Sequence, residues 1–329
     1  MIITRTPFRI SFVGGGSDME TFYSRHQGAV LSTSINKYMY ISTHKFFFHD
    51  QIRVKYSQTE TVNKIQDLKH PLLREAMHKT GVQGGIEISS IADIPAGTGM
   101  GSSSSFTVGT LHNLYAVKRH YVTHETLARE ACEIEIERLG EPIGKQDQYA
   151  VAFGGLNVIY FNPDGSVRIE PIYIKNDVYQ QLQRNLVMLY IGNQRRASDI
   201  LTEQKQNIKQ AEILHTLKSM VYLVSDLRDS LYTERLEDFG KILHENWMLK
   251  QKLASQISNS EIEKIYRTGI EHGATGGKLL GAGGGGFMLF YCEEKKQPKL
   301  LDHLKQLQKL DFSFDREGSK LIYYADEEF

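Results

Sequence analysis

Residues 94–105 read IPAGTGMGSSSS, with four Gly or Ala positions and four consecutive serines, and the following FTVGTLHNLYAVKRH carries a helical pattern. A helix start leaves backbone N–H groups unpaired and bears about half a positive charge from the macrodipole, so it draws anions. Glycines let the backbone curl close to phosphates. Serine hydroxyls donate to phosphate oxygens or ligate a magnesium ion that bridges them. The chemistry on offer is a phosphate cradle. The spacing is not GxxxxGK[ST], because no lysine follows the glycines, and no βαβ unit with a downstream acidic residue makes it a dinucleotide fingerprint. The plain alternative is a glycine-rich strand-to-helix turn with a serine cap.

Three other stretches hold reactive groups. ACEIEIERLGEPIGKQDQY contains Glu133, Glu135, Glu137 and Asp147. On a helix EIEIE spreads its carboxylates over roughly 200° of arc, so they do not form one solvated stripe. TPFRISFVGGGSD (6–18) carries Arg9 and Asp18, and KLLGAGGGGFMLF (278–290) is a second glycine loop between β-like runs. Phosphoryl transfer needs cations, a metal and a group that orients the attacking hydroxyl, rather than covalent catalysis. Singly, each stretch has a plain reading: a hairpin turn, a solvated helix face, a tight backbone crossing. No GxSxG elbow marks a serine nucleophile and no HExxH a catalytic zinc.

The elements that must position these groups differ between the halves. TRTPFRISF, AVLSTSI, YMYISTHKFFF, IRVKYS, GIEISSIADI and LNVIYF read as strands, with helices over about 102–120 and 123–139. The second helix opens on a capping-box pattern at Thr123 or His124 and stops at Gly140. After a strand NLVMLYIG, helical patterns run from about 198 to 272, and a helix and two short strands close the chain. The class expected is α+β, with a boundary at 165–180.

Composition narrows the field further. The 329 residues suffice for two domains, and 40% apolar with 24% charged residues describe a globular chain. Lys+Arg and Asp+Glu both number 39, which speaks against a nucleic-acid or membrane-surface partner. Cys132 and Cys292 belong to no CxxC pattern, and no signal-peptide or membrane-length apolar run occurs. A cytoplasmic protein is expected.

The spacing of Pro95, Gly97, Gly99, Gly101, Ser102, Ser103 and Ser104 resembles the phosphate loop of the GHMP kinases, with Met100 in place of leucine and Ser104–Ser105 in place of alanines. The 6–18 and 278–290 clusters resemble that family's first and third motifs, in the same order. The resemblance implies an α+β fold in two domains. Residues 1–170 would form an ATP-binding domain like domain 2 of ribosomal protein S5, and 171–329 a ferredoxin-like domain, with the active site between. It implies ATP and Mg2+ as cofactors, Ser103 and Glu135 as metal ligands, and Asp147 and Arg9 as the catalytic pair. Gly15, Gly16, Asp18, Gly283 and Gly284 would meet a sugar. GGGSD, GKQDQYAVAFGG and KLLGAGGGGFM look most like members that phosphorylate the anomeric hydroxyl of a heptose 7-phosphate. A phosphorylated acceptor needs a distal cationic pocket, for which Arg195, Arg196, Arg53 and Lys55 are the candidates. A fucokinase-like enzyme for an unphosphorylated sugar, a silent sugar or nucleotide sensor, and a decarboxylase of the mevalonate branch are the alternatives. The oligomeric state is not legible.

Overall fold

In the computed structural model, which describes residues 1–192 and 197–325, the first strand sets the arrangement. β1 (Ile2–Val13) alternates Phe8, Ile10 and Phe12 with Arg9 and Ser11. A period of two sends the apolar set into the core and Arg9 and Ser11 to the opposite face. After α1 (Glu20–Tyr23) come β2 (Gly28–Lys45), β3 (Ile52–Lys55), β4 (Thr59–Val62), α2 (Pro71–Thr80) and β5 (Ile86–Ala92). Then follow α3 (Ser102–Val117), α4 (His124–Cys132), α5 (Gln146–Phe153), β6 (Leu156–Phe161) and β7 (Val167–Pro171). The next elements are α6 (Asn176–Arg184), β8 (Leu186–Gly192), α7 (Ala197–Asn207), α8 (Ala211–Tyr232), α9 (Leu236–Lys250) and α10 (Ser260–Glu271). The end of the described chain comprises β9 (Gly276–Leu279), β10 (Gly286–Tyr291), α11 (Gln297–His303), β11 (Gln308–Lys309), β12 (Phe314–Asp315) and β13 (Lys320–Tyr324).

AVLSTSI and YMYISTHKFFF, two runs in the sequence, share one 18-residue strand, β2. Its length makes it the spine of a nine-stranded sheet whose main path is β13-β1-β2-β5-β3-β4, with β12 and β6 branching from β2 and β7 pairing with β6. β1 runs along one edge of β2, while β6 pairs with its first half and β5 with its second. A smaller sheet, β11-β8-β10-β9, belongs to the second half of the chain. β12 and β13 return to the first sheet and pair with β2 and β1. A single cut at 170/171 therefore does not separate the two sheets, because the outer edge of β1 is covered by the last strand.

α3 packs across β1 and β2, while α9 touches both β1 and β9. One apolar cluster accordingly runs from Phe8, Ile10 and Phe12 to Leu227, Phe239 and Leu243 and on to Leu280 and Phe287. The two sheets are welded through this shared core, which fixes the cleft between them. Both cysteines are buried free thiols. Among the described residues, no helix is long and apolar enough to cross a membrane.

At the mouth of the cleft the loops of the two halves touch through backbone. A Cβ on Gly281 (φ +75°) would overlap Gly99 Cα, and one on Gly99 (φ +81°) would overlap the Leu280 carbonyl. Gly281→Ala is expected to destabilise by about 3 kcal/mol, from positive-φ strain and a backbone overlap that no rotamer relieves. Urea unfolding measures it, and an unchanged midpoint would mean that the two loops do not meet.

Candidate active site

The glycine pattern of 95–101 is a backbone requirement. Gly97, Gly99 and Gly101 all have positive φ, and Thr98 Oγ1 donates to the Pro95 carbonyl at 3.0 Å. The loop ends at Gly101, which caps α3 without a side-chain bond, so the first N–H groups of α3 have no side-chain cap. No acidic residue stands in that first turn. Ser102 is half-buried, Ser103 exposed and Ser104 buried.

Arg9 Nε and Nη2 donate to Asp147 Oδ1 and Oδ2 at 2.8 and 2.7 Å, and Nη1 donates to the Gly99 carbonyl at 2.6 Å. Arg9 is 4% exposed, whereas the Asp147 side chain is 25% exposed and opens to the cleft. A planar guanidinium is the side chain that can serve a carboxylate with two parallel bonds and a carbonyl with a third. Asp147 sits in the first turn of α5, next to Gln146. Gln146 accepts from Ser11 Oγ at 3.0 Å and donates through Nε2 to Asp18 Oδ1 at 3.1 Å. Asp18 also accepts from the backbone N–H of Gly16 and of Gln146. Burial, and then the charge of Asp147, raise the Asp18 pKa above the ordinary carboxylate value.

Glu135 lies in a π-helical turn, Glu133–Arg138, that continues α4. Glu133 pairs outward with Lys79 and Arg138, whereas Glu135 is fully buried. Its Oε2 accepts from Ser104 Oγ at 2.9 Å and from Gln148 Nε2 at 2.6 Å, while Oε1 is buried without a partner. Burial pushes its pKa up to about 7 against the pull of the nearby Thr107, Ser104 and Gln148 side chains. An acceptor-only oxygen left bare at the start of α3 fits a divalent cation. Among the described residues no three His, Cys, Asp or Glu side chains gather into a metal cage. A cation here has one protein carboxylate and depends on hydroxyls and ligand oxygens for the rest, as magnesium commonly does.

A cavity of about 80 Å³ lies against the Arg9–Asp147 pair and Asp18, lined among others by Ser11, Gly15, Gly16, Gln204 and Gly281. Two lysines unmarked in the sequence reading, Lys250 at the end of α9 and Lys278 in β9, also line it. A signal for Lys250 existed: Leu236, Phe239, Leu243, Trp247 and Lys250 form the apolar stripe of α9, where a lysine is out of place. Lys278 sits in a strand buried at every position.

Several expected residues are elsewhere. Gly283 and Gly284 pack against Ile257, and this second glycine loop reaches the cavity through Gly281 and Ala282 instead. The serine hydroxyl bonded to Glu135 belongs to Ser104, since one residue along a helix start rotates the side chain by about 100°. Arg53 and Lys55 are on β3, three strands from β1, and ion-pair with Glu87, so they do not enter the cavity. Arg195 and Arg196 lie outside the described residues. In sequence they directly precede α7, whose Leu201 and Gln204 line the cavity.

Comparison with known proteins gives two family matches, GHMP kinases N terminal domain over residues 65–155 and GHMP kinases C terminal over 227–309. A D-glycero-alpha-D-manno-heptose 7-phosphate kinase of Campylobacter jejuni is 30% identical, over 97% of this chain and 98% of its own length. A galactokinase of Pyrococcus furiosus is 25% identical over 92% of both chains. A solved structure of a D-glycero-D-manno-heptose 1-phosphate kinase from Bacteriodes thetaiotaomicron superposes with TM-score 0.82, covering 99% and 100% of the two chains at 22% identity.

The Arg9–Asp147 fork is expected to show in a double-mutant cycle. Arg9→Met and Asp147→Asn should couple by on the order of 1–3 kcal/mol in chemical denaturation. Additive losses would show that the fork does not carry the interaction.

Proposed function

This chain belongs to the GHMP kinase family, phosphotransferases acting on alcohol groups, and from that premise we propose that it is an ATP-dependent sugar kinase acting on the anomeric hydroxyl of a heptose 7-phosphate. The observation that carries the kinase reading is the Arg9–Asp147 pair, which lines the cavity and stands beside Gly101 at the open start of α3. The first amides of α3, Ser102 and the 97–101 backbone bind the nucleotide phosphates. Asp147 orients the acceptor hydroxyl and takes its proton, and the two bonds from Arg9 keep that carboxylate aimed. Asp18, held by Gln146, meets sugar hydroxyls, and Gly15 and Gly16 leave room for the ring. Glu135, with Ser103 or Ser104, would hold Mg2+, which supplies charge neutralisation on the phosphates.

The heptose assignment is supported by the full-length similarity to the Campylobacter enzyme and by the side-chain-free Gly15–Gly16 pair that lines the cavity. Arg195 and Arg196 are the remaining candidates for the sugar's own phosphate. A coupled ADP-release assay with Mg-ATP against heptose 7-phosphate, mannose 6-phosphate, fucose, galactose and mevalonate tests the reading. Preference for heptose 7-phosphate with a 1,7-bisphosphate product by phosphorus NMR is expected. Preference for fucose or galactose would discard the distal phosphate site.

Asp147→Ala should lower kcat by about 10²-fold or more and leave ATP affinity within a few fold. Wild-type turnover, or loss of folding, would refute its role. Glu135→Gln should raise the Mg2+ concentration needed for half-maximal rate, and an unmoved titration would take the metal from Glu135.

A further inference from the structure

Lys250 and Lys278 have no task in the reading above. Lys250 is 7% exposed and Lys278 2%. Lys250 Nζ donates to the Gly281 carbonyl, and Lys278 Nζ to the Phe12 carbonyl at 2.9 Å. Among the described residues neither ammonium ion-pairs with a carboxylate, although each carries three donors. A buried charge without a paired counter-ion is unfavourable for folding. A methionine would fill either place without a buried charge, losing only the bond to the Gly281 or Phe12 carbonyl. One carbonyl bond is a weak reason to bury an ammonium.

Position supplies one. The Gly281 backbone abuts Gly99, and the Gly99 carbonyl already takes the third donor of Arg9. Lys250 Nζ thus stands where Arg9, the phosphate loop and the second glycine loop converge. Three of the five N–H groups of Arg9 serve Asp147 and Gly99, and Lys250, which spends one of its three on Gly281, brings a second cation with donors of its own to this point. A phosphoryl group in transfer spreads negative charge over its three equatorial oxygens, and a cation in a water-poor site is effective there.

We propose that Lys250 is a catalytic residue whose ammonium contacts the transferred phosphoryl group, with Lys278 behind it as a positioning residue that ties the exit of β1 to β9. The inference rests on the kinase reading. In the step, the acceptor oxygen bonds to the γ-phosphorus as the bond to the β–γ bridging oxygen breaks. Asp147 receives the acceptor proton, ADP leaves with the electron pair, and Lys250 keeps its proton.

The charged groups facing Lys250 are Arg9 on β1, Asp18 in the turn after it, Asp147 on α5 and Lys278 on β9. Burial and then Arg9 push the Lys250 pKa down to about 8, and Asp147 and Asp18 act against them. The protonated form is lost as pH rises through that value in the free enzyme. Bound phosphates favour the ammonium and move the loss upward.

The test uses the full chain with Mg-ATP and the acceptor that the wild type turns over. Lys250→Met should cut kcat by about 10²–10³-fold with both KM values within about three-fold, and should melt no lower than wild type. By calorimetry it should bind ADP normally but lose the tighter binding of ADP with aluminium fluoride, a mimic of the phosphoryl group in flight. Lys250→Arg should recover part of kcat and abolish the alkaline limb near pH 8 in kcat/KM for Mg-ATP. An unchanged kcat in Lys250→Met, with an active wild type, overturns the proposal alone. So does a rise confined to the acceptor KM, which would make Lys250 the ligand of the sugar phosphate. Weakened ADP binding with a lowered melting temperature would mean a structural role. A wild type silent on every acceptor overturns the kinase reading and this inference together.

Discussion

The guanidinium of Arg9 is the constraint to which the rest of the architecture answers. It must reach a carboxylate 138 positions away and a carbonyl 90 positions away, both from inside the protein. That requires β1 beside the phosphate loop, α3 laid across β1, and α5 turned so that its first residues face the strand. Asp18 and Asp147 stand close enough for their charges to oppose one another. The bidentate bond to Asp147 and the bond to the Gly99 carbonyl hold that carboxylate at a fixed place against the loop, and the elements around β1 are placed to make the fork.

What could be read in advance followed locality. The alternation in β1, the glycine spacing of 95–101 and the positions of Arg9, Asp18 and Asp147 are properties of short windows, and the windows carry them. EIEIE showed that its carboxylates could not share one face, and the structure turns Glu133 outward and Glu135 inward. Which serine meets Glu135 depends on the rotation of α3 against a π-helical turn, which no window contains. The return of β12 and β13 to the first sheet is a pairing across some 300 residues, invisible to periodicity. Arg53 and Lys55 show the same limit: the strand was legible, but its rank in the sheet, which takes both to Glu87 and away from the cavity, was not. Lys250 was the most readable omission, a charge on an otherwise apolar stripe.

The exit of β1 shows how the two halves are made mutually dependent. Gly14 N–H donates to Asn246 Oδ1 of α9 at 3.0 Å, and the Phe12 carbonyl accepts from Lys278 of β9. The backbone that positions Gly15, Gly16 and Asp18 is therefore held by residues more than 230 positions downstream. The shared apolar cluster makes this grip stiff, because Phe12 packs edge-on against Phe239 with centroids 5.2 Å apart.

That stiffness bears on the unpaired lysines. A domain on its own would relieve a buried ammonium by letting water in or by shifting a helix. Here α9 is pinned on both sides, against β1 and against β9, so Lys250 is kept facing Arg9 although the two cations repel. The stability needed to hold them there comes from the continuous apolar core, and the resulting field is ready before any anion arrives. A site preorganised in this way loses little to reorganisation when negative charge develops in it.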